Sequence, residues 1–333
     1  MARILITGAS GFIGGFLVEK ALERGDDVTA AIRPGSNLAR LGDPRVRLLE
    51  LPLHDEAAAT ALLRETGRFD RVIHNAGVTK AFSRQEYEDG NCGHTRRLVH
   101  ALQLSDTVPG MFLFVSSLAA LGAAPAGAER IGSSQIPAPL TPYGDSKRAT
   151  ELFLESLAPH FPWTVVQPTA VYGPWERDIL TFIRLMQKGL ELTIGRRPQR
   201  LSFVHASDVA QAIFCTLESP AALHRKFIIT DGKDYHTADL GAAVRQALGR
   251  KSTLRLRLPL TLVRGVAGIA EEIGRRQNRP SPLSRDKMPE LAAENWHCDV
   301  SPLFSETGFR PKFDLYSGMA DTIGWYREQG WLS

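Results

Sequence analysis

The chain has 333 residues, 43% of them apolar and 23% charged, with a net charge of +4. That length can bury a sizeable core as one large or two closely joined domains, and the composition is ordinary for a soluble globular protein. The arginines are scattered along the sequence without a dense basic block, which suits an anionic ligand at most and gives no case for nucleic acid.

Cys92, Cys215 and Cys298 are few, odd in number and far apart, so they read as reduced, buried small hydrophobes rather than metal ligands. The N-terminus enters a strand almost at once, so no signal peptide is expected. The apolar stretch from Leu258 to Ala270 contains Arg264 and is too short to span a bilayer. A cytoplasmic protein with no membrane partner is the expectation.

In chain order, β-rich runs at Arg3–Thr7, Val28–Arg33, Val46–Leu51, Arg71–Asn75, Met111–Ser116 and Thr164–Gln167 alternate with helical patterns. The helices fall at Phe12–Arg24, Ala57–Glu65, Arg84–Leu104 and Pro142–Leu157. The alternation predicts βαβ units, a doubly wound parallel sheet of Rossmann type, and ligands at the carboxyl ends of its strands.

The first junction, Thr7-Gly-Ala-Ser-Gly-Phe-Ile-Gly14, is a glycine-rich turn leading into a helix. Gly8 and Gly11 allow the turn and close backbone approach, and Gly14 allows tight helix–strand packing. With Ser10, Phe12 and Ile13 they offer helix amides to a pyrophosphate. The second strand ends on Arg33, followed by Ser36 and Asn37, where an acidic residue would select NAD. Arg33 and Asn37 therefore predict NADP, with NAD as the alternative, because a guanidinium suits a 2′-phosphate.

Gly122 to Pro142 reads as a long loop bordering the site. Beyond it, Tyr143 and Lys147 lie four apart and share a helix face. A lysine cation beside a phenol favours the phenolate, which predicts a lowered tyrosine pKa and an acid/base usable near neutrality.

After Pro174 the pattern is less regular. Helices are expected at Arg177–Lys188, Asp208–Leu217, Thr237–Leu248, Leu260–Arg275 and Leu315–Glu328, with strands at Glu191–Ile194, Leu201–His205 and Lys226–Thr230. This gives a Rossmann domain over 1–173, with about 203–220 packing back on it, and a smaller α+β substrate lobe over 174–333. Leu260, Val263, Val266, Ile269 and Ile273 read as a core-facing stripe.

Taken together, these motifs resemble the extended short-chain dehydrogenase/reductases, the NAD(P)-dependent epimerase/dehydratase group. The matching stretches are Thr7–Gly14, Ile73-His-Asn-Ala-Gly77, Phe114-Val-Ser-Ser117, Tyr143-x-x-x-Lys147, Gln167-Pro-Thr-Ala-Val-Tyr-Gly-Pro174, Phe203-Val-His-Ala-Ser-Asp208 and Thr307-Gly-Phe-Arg-Pro311. The resemblance implies Ser117, Tyr143 and Lys147 as catalytic, with Ser116 as a strand-end cap. It implies Asn75, Ala76, Gly77, Tyr143, Lys147, Pro168 and Val171 at the cofactor. Proline at 52 displaces the adenine-reading aspartate of many members, which shifts that contact to the backbone near Leu53. Gln167 replaces a usual arginine, and His94 stands where glycine is common, as a helix-surface residue.

Ser117 is followed by Leu118-Ala119 where sugar-nucleotide dehydratases carry Asp-Glu, which argues against water elimination. Arg200, with Arg196 and Arg197 nearby, resembles an arginine that contacts a substrate pyrophosphate. Ser117, Lys80 and Arg200 are the candidate substrate contacts. The expectation is an NADP-dependent oxidoreductase interconverting a carbonyl and a secondary alcohol of a small-molecule substrate, close to dihydroflavonol reductase and 3β-hydroxysteroid dehydrogenase relatives. The alternative is a nucleotide-sugar epimerase with tightly bound NAD(P). A non-catalytic nucleotide sensor is opposed by the intact Ser/Tyr/Lys set, and a homodimer is left open.

Overall fold

The computed structural model describes residues 1–132, 134–195 and 197–332. In chain order the first half runs β1 (Arg3–Thr7), α1 (Phe12–Glu23), β2 (Asp27–Ile32), β3 (Arg47–Glu50), α2 (Glu56–Thr66), β4 (Arg71–His74), α3 (Arg84–Tyr87), α4 (His94–Leu104), β5 (Met111–Val115), α5 (Pro142–Ser156) and β6 (Trp163–Pro168). The second half runs β7 (Ala170–Tyr172), α6 (Asp178–Gln187), β8 (Leu190–Ile194), β9 (Arg200–Leu201), β10 (Phe203–His205), α7 (Ala206–Glu218), β11 (Lys226–Ile229), β12 (Tyr235–His236), α8 (Thr237–Leu248), β13 (Leu254–Leu258), α9 (Leu260–Arg276), α10 (Met288–Ala292), α11 (Ser301–Thr307) and α12 (Leu315–Glu328).

Seven parallel strands form the central sheet in the order β11-β6-β5-β4-β1-β2-β3. The direction of winding reverses between β1 and β4, which opens a crevice at their carboxyl ends. Each strand divides its side chains between the two faces. Ile4, Ile6, Ile73, Leu113 and Val115 enter the core under α1 and α7. Leu5, Val72, Phe112 and Phe114 enter the core under α2, α4 and α5. That period-two alternation within nearly continuous apolar runs is what a sheet covered on both faces requires. A third core, with Tyr172, Ile183, Val244, Met319 and Tyr326, holds α6, α8 and α12 together beside the sheet.

Two expectations from the sequence are corrected. The helix over 84–104 is interrupted, because Glu88–Gly93 winds as a wider π-turn between α3 and α4. Gly90 sits so close to Val78 that a Cβ would stand 2.5 Å from its Cγ2, and the widened turn accommodates that approach. In α9 only Val263, Ala267 and Gly274 are buried. Val266, Ile269 and Ile273 are exposed, because α9 lies outermost and touches the molecule along one narrow face.

Candidate active site

The crevice is lined by the residues that follow four adjacent strands. After β1, Gly8 adopts φ +66°, and a Cβ there would stand 2.7 Å from Ala76 N. A Cβ on Gly14 would collide with Gly8 O and come within 2.7 Å of Ala9 Cα, so strand, turn and helix are pressed together. Gly11 caps α1 without a side-chain hydrogen bond, and no acid stands in the first turn. The free amides beside Ser10, Phe12 and Ile13 therefore suit an anionic diphosphate.

After β4, Asn75 Nδ2 donates to Gly8 O at 3.3 Å and Ala76 N donates to Thr7 Oγ1 at 3.1 Å. Beneath them His74 is fully buried between Thr7 Oγ1, 2.7 Å from Nδ1, and Thr95 Oγ1, 2.9 Å from Nε2. Burial pushes this imidazole down to about 3, and the charges of Lys147 and His94 push the same way. A Cβ on Gly77 would meet Asn91 Oδ1 at 2.9 Å and Lys147 Nζ at 3.1 Å, so glycine lets the chain pass directly over the lysine.

The far end of the crevice is cationic. Arg33 is exposed at the end of β2, and its amide donates to Ser36 Oγ at 3.0 Å in a tight turn that exposed Asn37 follows. Half-buried His94 is pushed down by burial first, then by the charges of Arg97, Arg33 and His54, against one opposing acid, Asp89. Rather than standing alone on a helix surface, His94 is thus a neutral imidazole beside two guanidinium groups, Arg33 and Arg97. Leu53 already has both backbone groups paired, its amide to Leu51 O at 3.0 Å and its carbonyl to Arg97 Nε at 2.6 Å. That leaves its side chain and the Arg97 guanidinium as the surfaces presented there.

Helix α5 begins with Thr141 as cap, its Oγ1 accepting from Gly144 N at 3.1 Å, and with Pro142 in the first turn. Next to Tyr143, Gly144 packs on the turn that follows Ser117. A Cβ at 144 would collide with Ala119 O and lie 3.1 Å from Ala119 C. That close approach sets the Tyr143 phenol near enough to Ser117 for the serine to favour the phenolate, while Ser117 Oγ accepts from Ala119 N at 3.2 Å. Ser116 points away, donating to buried Glu151 Oε1 at 2.5 Å, and Gln167 Nε2 reaches the same oxygen at 2.8 Å.

Lys147 is buried, with Nζ on Val115 O at 2.9 Å and 4.7 Å from the centre of the Phe114 ring. Burial pushes the ammonium down to about 8. The phenol of Tyr143 moves opposite to the sequence expectation: burial pushes it up to about 12, although Ser117 pulls it down. The lysine head is engaged by the β5 carbonyl, and the loss of water around the phenol dominates.

Several residues at the site are not apparent in the sequence. Buried Asn91, turned inward by the π-turn, receives Val78 N on Oδ1 at 2.8 Å and donates from Nδ2 to Val78 O and Ser146 Oγ. Its signal was the pair Gly90 and Gly93 inside a helical pattern. The ring of Tyr87 lies 6.1 Å from that of Tyr143. Glu290, brought in from α10, accepts from Thr141 Oγ1 at 2.6 Å. No local signal marks Tyr87 or Glu290.

Of the expected substrate contacts, Lys80 is paired with Asp178 on α6 at 2.6 Å. Arg200 is exposed on β9, where its backbone pairs with His236 and with Glu294 and Trp296. Arg197 is held by Glu294 at 3.1 Å, and Arg196 lies outside the described residues. Pro168 ends β6 beside Ile229, and Val171 lies in β7 opposite Val204.

Fold and site together define a nicotinamide-dependent enzyme of the extended short-chain dehydrogenase/reductase kind. Residues 4–230 match the NAD dependent epimerase/dehydratase family, and the chain belongs to it. It is similar to a ceramide reductase of Caulobacter vibrioides (strain NA1000 / CB15N), at 27% identity over 99% of this chain and 96% of that protein. A UDP-glucose 4-epimerase of Vibrio cholerae is 28% identical over 77% of this chain and 79% of its own length. The fold is shared with the Thermus thermophilus UDP-glucose 4-epimerase in complex with NAD, at a TM-score of 0.76 and 22% identity, covering 98% of this chain and 99% of that one.

Proposed function

We propose that this enzyme is an NADP-dependent reductase that converts a ketone on a bulky, weakly polar molecule to a secondary alcohol. The observation that carries the reading is the seating of Tyr143 against the turn that bears Ser117, one helical turn before buried Lys147, with a phenol that burial pushes further above its ordinary value and so leaves neutral at physiological pH. A neutral phenol is the form that can give a proton to a carbonyl oxygen as negative charge develops there. Ser117 Oγ, on the adjoining turn, stabilises that charge. Bound NADPH would supply the hydride to the carbonyl carbon. Gly8, Gly11 and the first turn of α1 would hold its diphosphate, and Lys147 beneath Gly77 its nicotinamide ribose. Arg33, with His94 and Arg97 behind it, would hold the 2′-phosphate.

The substrate class is supported by the ceramide reductase relative and by Leu118 and Ala119 in place of an acid pair. A nucleotide-sugar epimerase is the second reading, favoured by the Vibrio cholerae relative and by exposed Arg200.

The two readings separate on net cofactor change. A reductase consumes added NADPH stoichiometrically with a long-chain or polycyclic ketone, whereas an epimerase leaves nicotinamide absorbance flat while a UDP- or GDP-sugar interconverts. Calorimetry should also show NADPH binding more tightly than NADH by about ten- to a hundredfold, with Arg33→Asp reversing the order. Flat absorbance with sugar turnover overturns the reductase reading, and equal affinities overturn the role of Arg33.

A further inference from the structure

Helix α9 has two apolar faces and buries only one. Val263 and Ala267 pack against Met288 at the head of α10. On another side Leu262, Val266, Ile269 and Ile273 are 53%, 49%, 64% and 50% exposed. Their spacing of four, three and four residues puts them in one line along the helix. On neighbouring β13, Leu254 and Leu256 are exposed as well, on the strand face that Leu258 uses to pack under α9. Beside the line, Arg264, Arg276 and Arg285 edge a shallow groove floored by Gly265 and Gly268.

Charge gathers on the same segment. Between residues 254 and 285 there are seven arginines against Glu271 and Glu272, a net +5 where the whole chain carries +4. All seven arginines are exposed. Five of the seven lie on or beside α9, whereas Arg255 and Arg257 occupy the other face of β13, where Arg255 pairs with Glu191 at 3.1 Å. Arg276 and Arg285 pair with Glu272 and Glu271 on α9 itself. Among the described residues no helix is long and apolar enough to cross a membrane.

We propose that α9, with the exposed leucines of β13, docks the enzyme on the surface of an anionic phospholipid bilayer. A line of half-exposed aliphatic side chains flanked by arginines fits a flat interface whose headgroups are negative and whose acyl region lies just beneath. A second copy of the chain fits poorly, because pairing two such faces would bring two net-positive surfaces together. The placement also serves the catalytic cleft. Two residues beyond Met288, Glu290 holds Thr141 at the head of α5, so the docked helix lies one element from Tyr143. A ketone dissolved in the bilayer would then enter from the membrane side.

Vesicle binding requires neither cofactor nor turnover, so this surface can be tested separately from the reductase reading. The full chain should sediment with vesicles of phosphatidylcholine mixed with phosphatidylglycerol, sediment little with phosphatidylcholine alone, and be released by salt. V266S/I269S should weaken sedimentation by about tenfold or more. R275E/R276E should do so by a similar factor. Both variants alter exposed positions, so melting temperature and NADPH binding should match the parent. Failure to sediment with the mixed vesicles, or sedimentation unchanged in both variants, overturns the proposal. So does light scattering that shows a dimer dissociating in V266S/I269S, which would assign the stripe to a second copy.

Discussion

The direction of the hydrogen bonds around His74 is fixed from their far end. Thr95 Oγ1 donates to Asn91 O at 2.7 Å, so it must accept from His74 Nε2. Nδ1 is then the acceptor for Thr7 Oγ1–H, and Thr7 in turn accepts Ala76 N–H. A protonated ring would break this relay at Nδ1. The folded-state pKa, about 3, lies below the ordinary value of 6.5, so the unfolded chain binds the proton first as pH falls. The contribution of His74 is complete above about pH 6.5 and is lost at about 1.4 kcal/mol per unit below it. Urea unfolding of the parent and His74→Gln across that range should show a steeper acid decline in the parent. Identical slopes would place the group outside the stability balance. For the reaction itself, Tyr143→Phe should lose about two to four orders of magnitude in turnover while keeping NADPH affinity. Near-normal turnover would remove the phenol from the mechanism.

At the scale of elements, the site depends on how closely α5 approaches the turn after β5. Gly144→Val should force those two apart, because its side chain would occupy the space of the Ala119 backbone. The expected result is a turnover loss of at least about tenfold, with the diphosphate turn at Gly8 undisturbed. Unchanged turnover in a folded variant would show that the approach is not needed. The same scale shows why some of this was legible in the sequence and some was not. The strands β1 to β6 fall within one or two residues of their sequence limits, because runs such as Met111-Phe-Leu-Phe-Val115 are apolar throughout and bounded by turns. Ser117, Tyr143 and Lys147 were legible as motif residues. The π-turn that aims Asn91 was not, since helical periodicity does not register a single widened turn. Glu290 was not, since 149 residues separate it from Thr141. Periodicity also misread α9, because it reports that a face is apolar and not what covers it.

At the scale of the whole molecule, α7 is tied to the segment leading into α12 by a carboxylate. Buried Asp208, at the start of α7, accepts Lys312 N and Phe313 N, each at 2.9 Å. This pairing ties the end of the Phe203–Asp208 motif to the two residues that directly follow the Thr307–Pro311 motif. Asp208→Ala leaves two amides unpaired and should lower stability by about 3 kcal/mol, with unfolding still a single cooperative transition. A change below about 0.5 kcal/mol would show that water satisfies those amides at no cost.

The position of β11 has a consequence for synthesis. Every residue of β6 is buried, and the strand is covered on one side by β11, whose last residue is Ile229 of 333. A ribosome delivers Ser117, Tyr143 and Lys147 well before that covering strand. Until β11 emerges, the nascent chain carries an apolar strand with an open edge, the geometry most prone to pairing with another copy. A fragment ending near residue 173 would be held permanently at that stage, and the translation of some fifty further residues sets how long the growing chain must be kept from its neighbours.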